Sequence, residues 1–108
     1  MEGFRVDTAR NGETLQIRLT GEFDLQVFER VDELLRGAQK DSEHDVVVDL
    51  RGVTSIDQSG IGALVSAALR AGEVGGHLRL IRGPDEVHKV FELEGLDSKL
   101  EFVEAEQP

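Results

Sequence analysis

A small α/β fold is what this chain of 108 residues predicts: one domain over residues 1–108, with a mixed sheet of four to five strands, an N-terminal antiparallel hairpin and three to four helices. Three observations predict it. Strand-like and helix-like segments alternate after an initial hairpin, in the order β, β, α, β, α, β, α and a short last β. Near the centre, Val46, Val47 and Val48 run in an apolar stretch to Leu50, the pattern of a strand buried on both faces. After a polar turn the period changes, and Ile61, Leu64, Val65, Ala68 and Leu69 fall on one stripe of a helix.

Each element has its own local reason. Phe4, Val6 and Thr8 alternate with charged residues, as do Leu15, Ile17 and Leu19, and Asn11-Gly12 between them is a strong hairpin signal. With that pair as a two-residue loop, Thr8 faces Leu15, Val6 faces Ile17 and Phe4 faces Leu19, at the cost of Arg5 opposite Arg18. Asp24 can cap the helix that follows, whose buried stripe is Val27, Phe28, Val31, Leu34, Leu35 and Ala38, fading near Lys40. Asp41 to Asp45 is a polar loop, and Asp45 to Leu50 is the central strand. Asp57 precedes the next helix as its N-cap, so Gln58, Ser59 and Gly60 form the first turn. Gly75-Gly76 ends this helix, and His77 to Ile81 is the next strand. Gly83-Pro84-Asp85-Glu86 puts Pro84 at N1 of a third helix, buried through Val87, Val90, Phe91 and Leu93. Gly95 is its C′ residue, with Leu96 folding back on Phe91 in a Schellman arrangement. Leu100, Phe102 and Val103 make a last short strand, and residues 104–108 form a loose acidic tail. The parallel strands are expected to join by right-handed crossovers, with helices on one face or both.

Composition excludes several function classes. With 39% hydrophobic and 31% charged residues, the chain reads as soluble and globular. The absence of cysteine removes disulfides, thiolate nucleophiles and Cys-based metal sites. A formal net charge of −10 repels DNA and anionic lipid, and suits either solubility or a basic protein partner. No Tyr or Trp is present to stack bases. The longest uncharged stretch, Gln58 to Leu69, falls well short of the ~20 residues of a membrane span. No secretory segment is read at the start, so the expected location is the cytoplasm, as a monomer or weak dimer.

Ser59 draws attention, yet a Ser in a first helical turn is ordinary. A hydrolase elbow needs Gly two residues before and after the nucleophile, where this chain has Asp57 and Ile61. Ser59-Gly60-Ile61-Gly62 lacks the Lys and preceding Gly of a phosphate-binding loop. His44, His77 and His88 are scattered, show no zinc spacing and read as surface or strand-edge residues. Asp49 and Asp57 could pair as acid and base, with no other support. Gly60, Gly62, Ala63, Ser66 and Ala67 are small, which leaves room either for internal packing or for a partner.

The segment Asp57-Gln58-Ser59-Gly60-Ile61-Gly62, behind Val46-Val47-Val48-Asp49-Leu50, resembles the signature of bacterial anti-sigma factor antagonists, the STAS domains. Gly21-Glu22-Phe23-Asp24, Gly75-Gly76-His77-Leu78 and Val90-Phe91-Glu92-Leu93 with Gly95-Leu96 match further family positions in the right order. The resemblance implies a non-enzymatic protein with no cofactor or metal of its own. It implies binding to an anti-sigma factor that is also a serine kinase, which frees a sigma factor and so regulates transcription. The partner binds MgATP and phosphorylates the start of this helix, and a phosphatase resets it. The implied partner-binding residues are Asp24, Asp57, Gln58, Ser59, Gly60, Gly62 and Ser66. The usual phosphoacceptor position is occupied here by Gln58, whose amide takes no phosphate, so either Ser59 is the acceptor or binding is not switched in this way. The alternatives are a STAS scaffold or accessory subunit of another complex and, in a different class, a small Ser hydrolase or nucleotide-binding enzyme.

Overall fold

The computed structural model describes residues 3–40 and 45–105, so the expectations for 41–44, including His44, and for the end of the tail lie outside the described residues. The elements are β1 (Arg5–Asn11), β2 (Thr14–Phe23), α1 (Leu25–Lys40), β3 (Asp45–Ile56), α2 (Gln58–Glu73), β4 (His77–Ile81), α3 (Asp85–Leu93) and β5 (Glu101–Val103). The five strands lie in the order β1-β2-β3-β4-β5, with β1 and β2 antiparallel and every later pair parallel. Successive parallel neighbours joined by right-handed crossovers put all three helices on one face of the sheet. Side-chain rows agree. Ile17, Val48, Leu80 and Phe102 align across the strands under the helices, and the first three are fully buried. The adjacent row, Arg18, Asp49, Ile81 and Val103, points to the helix-free side.

The structure corrects several expectations. β3 is apolar on one face only: Val46 and Val48 are buried, whereas Val47 is half-buried beside Gln16 and Arg79. The strand also runs on to Ile56 instead of turning after Leu50, because β2 keeps pairing with it through two register shifts. In the hairpin, Gly12-Glu13 is the loop, and Val6 faces Leu19 while Thr8 faces Ile17. This register differs from the expected one by two residues, which keeps every apolar side chain on the same face. It removes the Arg5–Arg18 opposition and sets Asp7 against Arg18 instead, and it places the positive-φ glycine, Gly12 at φ 68, first in the loop.

Two leucines assigned to buried stripes are exposed, Leu69 at 66% and Leu93 at 78%. The stripe of α2 is turned toward its small residues: Gly60, Ala63, Ala67 and Ala71 are buried with Ile61 and Leu64. Leu69 lies roughly 140° around the helix from Leu64. Pro84 is the N-cap of α3 instead of its N1 residue, with φ −58 and ψ 159. His88 is buried, contrary to its surface reading, and stacks edge-on to Phe102 at 4.7 Å. The helix ends follow expectation. Gly75 and Gly95 take φ 76 and 73, and Leu96 N–H donates to Phe91 O at 2.9 Å while Gly95 N–H donates to Glu92 O at 3.0 Å.

Candidate functional site

The C-terminal ends of β2 and β3 lie side by side, Phe23 aligned with Ile56, and each is followed at once by an aspartate and a helix. Asp24 accepts from Gln26 N–H at 3.0 Å, and so caps α1. Asp57 Oδ1 accepts from Ser59 N–H at 2.9 Å and Gly60 N–H at 3.2 Å, and so caps α2. Two of the N–H groups that a helix start leaves open are thereby filled by the chain itself.

The first turn of α2 is pressed against the strand ends. A Cβ on Gly60 would stand 2.8 Å from Ile56 Cγ1 and 2.9 Å from Phe23 O, so only glycine fits there. Gly62 is the opposite case, with nothing within 4 Å of where its Cβ would be. It is exposed and opens onto a groove of about 320 Å³ between α1 and α2. α2 lines this groove with Gln58, Ser59, Gly62 and Ser66, and α1 with Leu25, Phe28, Asp32 and Arg36. Farther along the two helices, Gln39 Nε2 donates to Ala67 O at 2.8 Å and Arg70 Nε donates to Gln39 Oε1 at 2.9 Å. Burial, and next the charge of Arg36, lowers the pKa of Arg70. The mouth is apolar on one side, since Leu25 is 70% exposed.

Four of the expected site residues therefore meet in one groove: Gln58, Ser59, Gly62 and Ser66. Asp57 is exposed at its end, and Ser59 is half-buried. Asp24 lines a different hollow, with Phe4, Gly21 and Glu22. Gly60 is buried and serves the site through packing. Asp49 and Asp57 do not form an acid–base pair. Asp49 lies on the helix-free face under Arg18 and Arg51, while Asp57 follows the last residue of β3, roughly 25 Å along the strand. Among the described residues no group of His, Cys, Asp and Glu is placed to hold a metal ion, and no helix is long and apolar enough to cross a membrane.

The comparisons with known proteins bear on the family and the fold. The family model described as "Mlab, STAS domain" matches residues 6–104. The chain belongs to the STAS domain family. Similar curated STAS relatives include the anti-sigma-B factor antagonist of Staphylococcus aureus (strain NCTC 8325 / PS 47), 23% identical over 91 residues and covered to 84% on both chains. An anti-sigma factor antagonist from Mycobacterium paratuberculosis has a similar fold, with a TM-score of 0.87 and 16% identity over 95% of this chain and 87% of that one. The Bacillus cell fate determinant SpoIIAA in its phosphorylated form has a TM-score of 0.75 and 23% identity, covering 97% of this chain and 93% of its own.

Within this STAS domain, sequence reasoning missed one whole wall of the groove. Leu25 did carry a signal, an apolar residue directly after a helix cap and outside the buried stripe. Glu94 carried none. Its Oε2 accepts from Gln58 Nε2 at 2.8 Å, across 36 residues of chain, and ties the start of α2 to the end of α3.

Proposed function

We propose that this STAS domain is an anti-sigma factor antagonist that acts in the cytoplasm by binding, without chemistry of its own. Its partner is an anti-sigma factor that is also a serine kinase and carries the MgATP, and occupying that partner frees a sigma factor. The observation that carries the reading is the open groove beside Asp57. There an exposed leucine, a glycine with empty space over it and a self-capped helix start lie together. Such a surface offers apolar area and room for close approach, and its helix donors are already occupied by Asp57, which disfavours a nucleotide or oxyanion site. The similarity to curated anti-sigma-B factor antagonists supports the same reading. Asp24, in the neighbouring hollow, extends the surface.

Release by phosphate at the usual position is not available, because Gln58 stands there and is held by Glu94. Binding is therefore constitutive with respect to that position. Ser59 is the remaining hydroxyl at the tip, and it lines the groove. A phosphate there would add about −1.5 to −2 charges to the contact surface, and a phosphatase would remove them. The experiment is affinity capture followed by a kinase assay. A captured ATPase of the histidine-kinase-like fold supports the reading, and capture of a transport or scaffold complex instead supports an accessory subunit. With that kinase and labelled ATP, no label on the wild type supports constitutive binding. Label lost on Ser59→Ala makes Ser59 the acceptor.

A further inference from the structure

We propose that Glu94 is a positioning residue for partner recognition: it orients the Gln58 amide so that the amide oxygen, and not the NH2 group, is offered at the groove, where the partner places a basic side chain. The identity of the partner rests on the function proposed above, and the orientation of the amide does not. An ionised carboxylate only accepts hydrogen bonds, so the atom that Gln58 turns to Glu94 Oε2, at 2.8 Å, is its nitrogen. The amide is planar, and its oxygen therefore points away from Glu94. Among the described residues no donor reaches that oxygen, and Gln58 lines the groove between α1 and α2. An untethered glutamine would offer donor and acceptor alike. Held by Glu94, this one offers an acceptor.

Both ends of the bond are anchored. Gln58 is the first residue of α2, directly after the Asp57 cap. Glu94 is the C-cap of α3, and its N–H donates to Val90 O at 3.1 Å. The turn after it is closed by Leu96 N–H on the carbonyl of Phe91, which is fully buried. Supports of this kind hold a recognition group in one geometry. The place of Glu94 is unfavourable for α3 itself, because a carboxylate at a helix C-terminus meets the negative end of the dipole, and the last turn of α3 has no basic residue to offset it. The side chain reaches the positive end of α2 instead, so the carboxylate serves the tip of α2 and not the end of its own helix.

The charge at this end selects a basic side chain over a neutral donor. The segments that build it, residues 22–30, 57–62 and 89–99, carry seven carboxylates against Arg30, Lys89 and Lys99. Arg30 is turned aside to the ring and carbonyl of Phe4, and Arg36 in the groove is paired with Asp32 at 2.8 Å. Asp57, exposed beside Gln58, uses Oδ1 for its helix, and among the described residues its Oδ2 has no protein donor. A Lys or Arg side chain brings several donors and no acceptor, which suits this arrangement. Acidic charge alone would not fix where such a group docks. The oriented amide oxygen does.

The test has two arms. The first is NMR of the 15N-labelled full chain without a partner. The Gln58 side-chain NH2 signals are expected away from the position of a free glutamine amide and to move to it in Glu94→Ala, with backbone signals outside the tip unchanged. Identical Gln58 side-chain signals in the two proteins overturn the proposal. The second arm is calorimetric titration of the captured kinase. Glu94→Ala weakens binding several-fold, and in a Gln58→Ala background it weakens binding no further, because it acts through that amide. Glu92→Gln removes the same charge from the same helix and leaves binding unchanged. Gln58→Lys keeps a contact with Glu94 but offers only donors, and it weakens binding by about tenfold or more. No loss from Glu94→Ala, or an equal loss from it in both backgrounds, overturns the proposal. So does an equal loss from Glu92→Gln, or an unchanged or tighter complex with Gln58→Lys. A wild-type chain that captures no kinase overturns the functional reading above and the basic side chain with it, while the first arm still decides the orientation of the amide.

Discussion

Asp49 is buried beneath two guanidiniums, whereas Asp57, just past the end of the same strand, is exposed and bonded only to the backbone of its own helix. The first carboxylate knits three side chains into a sheet face. The second satisfies its own helix start and leaves Gln58, Ser59 and Gly62 facing a groove. The two glycines of α2 repeat the contrast, Gly60 filled around by Ile56 and Phe23, Gly62 open. Close packing and open surface alternate within a few residues, and only the open members can meet a partner.

Substitutions should widen or erase that contrast. Asp49→Ala has the largest expected effect, a loss of about 2–4 kcal/mol in urea unfolding, since it strips two arginines of a buried partner. The pH dependence has a defined sign. Burial alone would raise the Asp49 carboxyl, but the hydrogen bonds and charge of Arg51, and then the Arg18 bond, hold it below its ordinary value. A folded pKa below the unfolded one, about 3.9 for Asp, gives stability that is full above that value and is lost as pH falls through the folded pKa. The gap between wild type and Asp49→Asn is therefore expected to close below about pH 4. An equally wide gap at lower pH would break the contrast.

Gly60→Ala follows, at about 1–3 kcal/mol of destabilisation by overpacking against Phe23 and Ile56. Asp57→Ala removes a helix cap and costs about 1 kcal/mol. Gly62→Ala is the smallest and has the opposite sign, a gain of up to about 1 kcal/mol in thermal unfolding, because alanine suits a helix and nothing blocks its Cβ. A loss at Gly62 equal to that at Gly60 would erase the distinction between them.

The element order, the caps at Asp24 and Asp57 and the turns at Gly75 and Gly95 were legible because each is written in a few adjacent residues. The features that depend on residues far apart were not. The hairpin register sets Asp7 instead of Arg5 opposite Arg18, a pairing between strands that the loop dipeptide alone does not specify. β3 extends to Ile56 because Phe23, on another strand, continues to pair with it. The exposure of Leu69 follows from small residues drawing the other side of α2 onto the sheet, and the Gln58–Glu94 bond exists only once α3 has docked. At the site, the tip was readable from its motif, and the wall supplied by α1 was not.

The most direct test of the account is calorimetric titration of the captured anti-sigma factor kinase with the wild type and with Gly62→Gln. The expected result is that Gly62→Gln unfolds at or slightly above the wild-type temperature, as Gly62→Ala does, and binds at least tenfold more weakly, about 1.4 kcal/mol, because its side chain fills the groove. A folded Gly62→Gln variant with unchanged affinity would contradict it.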